Sequence, residues 1–467
     1  MILRIWTVVV MALSMGCDSG PRQPAEPVVP SASPPPTPPA PPTPPPPPEG
    51  PLVTQPETPN GTVTVDATAL RQEMQGFGTS MRIFTDPHLI GRNGGPENSL
   101  QISSAEEDAV LRVLYEKIGL TRVRPLALSR GTQPTLADTM RTVWVFADGH
   151  IDIVKRARSI GLREWWLSPL LLETWMDESN VADYVDWAMR AIRYWKTQGV
   201  ELAWYSIVNE PGYPPIKASP EFFHDAVILL GRRLADEGFR TKLVIPDDVH
   251  PISAVPVIRS VMSDPEARKY VGALATHLYG YPVSTMKELT DLAEQYGVPL
   301  WMSEFSVADG SPLEWASLVH TLLSDYNVSA VDYMWGFFGD NDTSQLVSLH
   351  HSGGKYSGFS ITSPGYEMAQ YAAYVRPGAR RVLVTSTADD VRVSAFVLNG
   401  RVTIVALNSG QSDQPVKFSV SGVSGLEKLR VVRTSAKEQL ASVGHLVVSG
   451  GSFNLTVPAR SISTLIQ

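Results

Sequence analysis

From about residue 62 onward the chain alternates between two hydrophobic periods. Short, nearly continuous apolar runs occupy 76–84, 121–128, Glu164–Pro169, 203–209, 242–246, 272–279, 300–306 and 330–338. Such runs suit strands buried on both faces. Between them lie amphipathic stretches whose apolar residues return every three or four positions, and these predict helices over 104–118, 181–198, 220–237, 285–296, 313–326 and 366–375. The first helix opens on the capping pattern Ser104-Ala-Glu-Glu107. Eight strand–helix units of this size predict an α/β fold, a (β/α)8 barrel of the TIM type, over 73–377.

Past residue 378 the period changes to two. Runs at Val391–Leu398, 402–407, 416–420 and Ser461–Ile466, separated by Gly, Ser and Asn turns, predict an associated all-β sandwich over 378–467. The alternation Thr62-Val-Thr-Val-Asp66 predicts one more strand, within 61–72, for that sandwich.

Before residue 61 neither period is present. Met1-Ile-Leu-Arg4 followed by the apolar run 5–15 has the basic start and short apolar core of an export signal, too short to span a bilayer. Cys17 is the only cysteine, so it has no partner for an internal disulfide. It stands in Leu13-Ser-Met-Gly16-Cys17, which resembles a bacterial lipobox apart from Ser14, where that pattern prefers Leu. Residues 1–17 are read as a signal with lipidation at Cys17, giving an exported lipoprotein at the outer surface or in the periplasm, or otherwise an extracellular protein. The stretch 21–59 holds 19 of the 39 prolines. Residues 18–60 are therefore expected to be a disordered, extended spacer without a core.

Composition narrows the partners. With 43% hydrophobic and 18% charged residues and a net charge of -8 mixed along the chain, no basic surface for nucleic acid is expected. No His/Cys cluster, phosphate-cradling glycine loop or dinucleotide fingerprint is present, so neither cofactor nor metal is expected. Asp340-Asn-Asp342-Thr-Ser344 alternates oxygens like a calcium loop but lacks the rest of that pattern and is read as a polar loop. A monomer is expected.

The candidate chemistry lies at strand ends. The fourth run closes on Asn209-Glu210-Pro211 and the seventh on Ser303-Glu304-Phe305. On a barrel, functional residues gather at the C-terminal rim, which would bring these two glutamates together. Two facing carboxyls can divide the work of proton donor and nucleophile at one sugar carbon.

Those two motifs resemble the acid/base and nucleophile motifs of the large clan of retaining (β/α)8 glycosidases. Gln75-Gly76-Phe77-Gly78, His277-Leu-Tyr279-Gly280, and Tyr366-Glu-Met-Ala-Gln370 with Val375-Arg-Pro-Gly378 narrow the resemblance to glycoside hydrolase family 30. It runs from about Thr62 to the C-terminus. It implies Glu210 as acid/base, Glu304 as nucleophile, and Asn209 bonded to the sugar 2-hydroxyl. It further implies Tyr279 supporting Glu304, with His277 beside it. Trp335, Trp175 and Arg82 are candidate substrate contacts, Trp335 as a stacking floor for a sugar ring. Arg124 is placed either at the site or in a salt bridge, and Trp301 in the core.

Gly365-Tyr-Glu-Met-Ala-Gln370-Tyr371 looks most like the bacterial xylanase and glucuronoxylanase branch, which implies endo action on a β-linked polysaccharide, xylan first. Two departures bear on the substrate. Thr362-Ser-Pro364 stands where those relatives carry a basic pair, and Ser168-Pro-Leu-Leu-Leu-Glu173-Thr-Trp175 where they carry a Ser-Pro-Pro-x-Trp motif. A β-1,6-galactanase or glucanase, a glucosylceramidase-like enzyme, and an inactive surface carbohydrate-binding lipoprotein are the alternatives.

Overall fold

Apolar runs of this kind cannot expose either face, and the computed structural model closes eight of them into a barrel. It describes residues 50–81, 102–127, 135, 137, 147–173, 175–176, 178–212, 218–307, 313–339, 344–353 and 355–467. Strand β1 (Gly61–Glu73) precedes the barrel. The barrel then runs β2 (Gly76–Met81), α1 (Ser104–Arg112), β3 (Arg122–Ala127), α2 (Asp148–Ala157), β4 (Glu164–Pro169), α3 (Val181–Thr197), β5 (Trp204–Ser206) and α4 (Pro220–Asp236). It continues with β6 (Lys242–Asp248), α5 (Pro251–Ser263), the short α6 (Pro265–Arg268), β7 (Val271–His277), α7 (Met286–Tyr296), β8 (Leu300–Glu304), α8 (Glu314–Asp325) and β9 (Ala330–Tyr333). Neighbouring strands are parallel, and β9 closes on β2 from Gly76–Ala330 to Thr79–Tyr333.

Three of the described helices have no counterpart in the sequence pattern, the one-turn α6 and the longer α2 and α5. α5 contains Pro251 and Pro256. Prolines argue against a helix, yet Pro251 sits in the first turn, where no N–H is needed. α2 is short and opens on Asp148-Gly149 with no side-chain cap. The capping box of α1 is real but shifted by one residue: Ser103 caps the helix, its backbone N–H donates to Glu106 Oε2 at 2.7 Å, and Glu107 pairs with Arg156 instead.

The last apolar run is not one strand. It breaks at Met334, whose N–H donates to Phe305 O at 3.1 Å, and Trp335–Gly339 forms β10 outside the barrel. β10 pairs with β11 (Gln345–Ser352), and β11 with β12 (Lys355–Ile361), in a three-stranded sheet absent from the sequence reading. An unbroken run of hydrophobics cannot reveal where its hydrogen-bonding partner changes. α9 (Ser363–Ala372) then leads into the C-terminal strands.

The sandwich has nine strands in the order β18-β17-β20-β15-β14-β13-β1-β16-β19. These are β13 (Arg380–Ser386), β14 (Val391–Leu398), β15 (Arg401–Asn408), β16 (Gln414–Ser421), β17 (Lys428–Ser435), β18 (Ala441–Val447), β19 (Ser452–Val457) and β20 (Ser461–Ile466), with β1 between β13 and β16. β15 shows how the two parts join. Its Ile404 and Ala406 face the sandwich core, while Val405 and Leu407 on the other face pack into the barrel's outer core. All four are fully buried.

Residues 50–60, expected as the end of the disordered spacer, are bonded to this sandwich. Val53 N–H donates to His445 O at 2.8 Å, His445 N–H to Pro51 O at 2.9 Å, and Gln55 Nε2 to Val447 O at 2.8 Å. They cover β18, which ends the sheet and would otherwise expose unpaired backbone groups.

Candidate active site

The inside of the barrel holds the apolar cluster of Trp166, Val244, Ala273, Ala275, Trp301 and Ala330 together with buried charged groups, and β3 sets the spacing of two of these. Arg122 and Arg124 are two residues apart on one strand, so both point inward. Arg122 belongs to the layer around Trp166 and Trp301: it pairs with Asp332 at 3.3 Å and lies 4.1 Å above the Trp301 ring. Gly78 is required beside it, since a Cβ there would meet Asp332 Oδ1 at 2.2 Å. Trp301 is therefore core, as expected.

Arg124 builds the layer above. Although fully buried, it donates through Nη1 to Glu304 Oε2 at 2.7 Å and to Ser80 Oγ at 3.0 Å. Through Nη2 it donates to Asp247 Oδ2 at 2.7 Å and to Asn209 Oδ1 at 2.5 Å. Its two alternative roles are one: the salt bridge lies in the site. Burial opposes this charge, but Asp247 and Glu304 outweigh it, so the guanidinium stays ionised.

Glu304 ends β8 and is 5% exposed, with Tyr279 donating to its Oε1 at 3.1 Å. Burial, then the Glu304 and Glu210 carboxylates, push the Tyr279 phenol well above its ordinary range, so it remains a donor. Glu210 follows β5 in a left-handed backbone conformation, φ 51°, costly for a residue with a Cβ and typical of functional positions. Its N–H donates to Asp247 O at 2.9 Å, and Asp247 shares the left-handed conformation at φ 63°.

His277 ends β7 between two carboxylates, with Nδ1 3.0 Å from Glu210 Oε1 and Nε2 3.1 Å from Asp247 Oδ1. Burial alone would lower its pKa, but Glu304, Asp247 and Glu210 outweigh that and push it up to about 10. Protonated, the ring donates from Nδ1 to Glu210 and from Nε2 to Asp247, while Arg124 Nη2 lies 3.2 Å from Nε2.

Asp247 escaped the sequence reading. It is fully buried and accepts from Arg124, His277, Ser168 Oγ at 2.7 Å and Ser303 Oγ at 2.7 Å. Burial would raise its pKa, but Arg124 and His277 hold it far below the usual carboxylate range. Its one sequence signal is an acid inside a strand, Ile245-Pro246-Asp247, where only a buried partner could tolerate it.

Glu210, His277 and Glu304 each place an atom within 4.8 Å of the others, a span that a metal ion could occupy. Both His277 nitrogens face carboxylates and Arg124 holds Glu304, so an ion there would have to displace these bonds. The trio suits proton and nucleophile chemistry better than metal binding.

Of the remaining candidates, Trp335 and Trp175 lie among the described residues. Trp335 starts β10, is 6% exposed and stacks on Phe338 at 5.5 Å, which covers one of its faces. Trp175 is half-buried in the loop after β4, where its carbonyl accepts from Asn180. Arg82 and Cys17 lie outside the described residues, as does most of the loop 340–344. Thr362 caps α9 through a bond from Gly365 N–H at 3.2 Å, so the departure at 362–364 begins a helix.

Residues 378–465 match the family model described as the glycosyl hydrolase family 30 beta sandwich domain. A glucuronoxylanase, XynC of Bacillus subtilis (strain 168), is 26% identical over 292 residues, 59% of this chain and 63% of that protein. The alignment thus spans less than two thirds of that relative. Among solved structures, a GH30 endoxylanase from Clostridium papyrosolvens C71 superposes with a TM-score of 0.69 at 22% identity, covering 87% of this chain and 99% of the other. The family 30 subfamily 8 xylanase Xyn30A from Clostridium acetobutylicum gives the same values.

Proposed function

We propose that this chain, whose sandwich is that of glycosyl hydrolase family 30, is a retaining endo-acting glycoside hydrolase that cleaves a β-linked polysaccharide of the xylan class. One observation carries the reading: Glu210 and Glu304 approach within 4.8 Å at the C-terminal ends of β5 and β8. Retaining enzymes place their carboxyls about 5–5.5 Å apart, whereas inverting ones need about 6.5–9.5 Å for a water.

In this mechanism Glu304 attacks the anomeric carbon as Glu210 protonates the departing oxygen. The glycosidic bond breaks and a glycosyl ester forms on Glu304. Glu210, now a carboxylate, takes a proton from water, which attacks the same carbon and releases Glu304. Arg124 and Tyr279 fix the orientation of Glu304. Arg124 also fixes Asn209 through its Oδ1, which leaves the Asn209 amide N–H groups to donate to the sugar 2-hydroxyl. His277 holds Glu210 by a charge-assisted bond.

The xylan class follows from the likeness to the glucuronoxylanase, and the departure at 362–364 makes a β-1,6-linked glycan the second substrate to test. The reading includes export and a lipid anchor at Cys17; no helix among the described residues is long and apolar enough to cross a membrane. The deciding experiment is reducing-sugar release from xylans and β-1,6-glycans, with the anomer of the first product followed by NMR. Retained product that disappears with Glu304→Gln is expected. Inverted product, or release that survives Glu304→Gln, would overturn the mechanism.

A further inference from the structure

The acid side of the cleft carries an exposed aromatic that the chemistry above does not use. Tyr281 is 43% exposed, just past β7, where a left-handed turn at Gly280, φ 74°, redirects the chain. Its ring lies 4.3 Å, centroid to centroid, from the ring of His250, in the loop between β6 and α5. Tyr279 N–H donates to Val249 O at 3.3 Å and ties the two loops together. The end of β6, from which the His250 loop leaves, is tied to Glu210 by its N–H bond to Asp247 O at 2.9 Å, and to Gly212 by that residue's N–H bond to Asp248 Oδ1 at 3.0 Å. His250 stands within electrostatic reach of Glu210.

The chemistry of His250 is fixed by its place in the fold. It caps α5, its Nδ1 3.1 Å from Ser253 N–H. That nitrogen accepts, so the proton of the neutral ring sits on Nε2. Burial lowers the pKa of the ring, against the Asp248 and Glu210 carboxylates, which raise it. The Nε2–H meets no acceptor among the described residues, and Ile252, in the first turn of the helix that His250 caps, is half exposed. The rim therefore offers an aromatic face, an apolar shoulder and one donor unspent among the described residues. The C–H face of a pyranose fits the first two, and a ring hydroxyl accepts from the third.

We infer that His250 and Tyr281 form the binding site for the sugar on the leaving-group side of the scissile bond. This rests on the glycosidase reading, because Glu210 can protonate a departing oxygen only if the departing sugar lies on its side of the cleft. The same platform would hold an acceptor sugar when the glycosyl ester on Glu304 is attacked by a hydroxyl rather than by water.

The test compares two substrates of the full chain that share their glycone: a β-linked oligosaccharide and the corresponding β-glycosyl fluoride, which has no leaving-group sugar. Tyr281→Ala should lower the ratio of kcat/KM on the oligosaccharide to that on the fluoride about tenfold, the scale of one lost stacking contact. His250→Asn keeps a good helix cap and should lower the ratio by about fivefold, the scale of one hydrogen bond. Taking a ratio cancels any loss of folded enzyme. A wild type that hydrolyses the fluoride while both variants keep the wild-type ratio would overturn the rim site alone. A wild type that hydrolyses neither substrate would remove the glycosidase reading, and the rim site with it.

Discussion

Asp247 balances two buried cations at once, and that makes the site sensitive to a single charge. Asp247→Asn keeps the shape but leaves Arg124 and His277 with one fewer anion. We expect kcat/KM to fall about 10²-fold, the scale of one removed electrostatic support. The His277 titration separates this from mere packing. Asp247 raises the His277 pKa, so in Asp247→Asn the imidazole titration followed by NMR should move to lower pH; an unmoved titration would leave Asp247 only a structural part. His277 also makes stability depend on pH. Its pKa in the fold, about 10, stands above the unfolded value, so its contribution is complete below about pH 6.5 and is lost as pH rises through about 10. The thermal midpoint should decline across that window, and His277→Gln should flatten the decline. A decline of equal slope in the variant would assign the effect to other groups.

At the scale of elements, α8 depends on its neighbour α9. Its N-cap position is Leu313 in a left-handed conformation, φ 65°, with no side chain to accept from the first turn. Glu367 of α9 supplies the acceptor, taking Leu313 N–H at 3.3 Å and Ala316 N–H at 3.0 Å. Glu367→Ala should therefore cost about 1–3 kcal/mol in urea unfolding, and Glu367→Gln less, because its amide oxygen can still accept. A neutral Glu367→Ala would show that water caps the helix as well. Such long-range caps mark where the sequence stopped being legible. The eight apolar runs and the two glutamates could be read because strand ends on a barrel rim follow from period and spacing. Asp247 could not, since its partners Arg124 and His277 come from two other strands of the closed barrel. The β10–β12 sheet was hidden for a related reason: Trp335 pairs with Gln345 in a strand the hydrophobic pattern did not single out.

Residues 50–467 are tied together by their first strand, β1. β1 is centrally placed in the sandwich, antiparallel to β13 and parallel to β16, and buries Val63 and Val65 completely. Past it the chain enters the barrel within three residues, and β13 returns from the barrel to pair with it: Glu73 stands opposite Arg380. The sandwich cannot then close without a segment that precedes the barrel in sequence. The barrel's outer core, in turn, takes in Val405, Leu407 and Ile462 from the sandwich face turned away from the sandwich core. A chain beginning at residue 50 should keep every one of these pairings and unfold in one cooperative transition, with a midpoint close to that of the full chain. A chain beginning at residue 74 would leave the edges of β13 and β16 unpaired and open the apolar core between them. We expect it to be recovered mainly as aggregate, and any soluble fraction to bind a hydrophobic dye and melt without a sharp calorimetric peak. If it melted sharply near the midpoint of the longer chain, β1 would be an accessory strand, and the barrel would owe its stability to its own core alone.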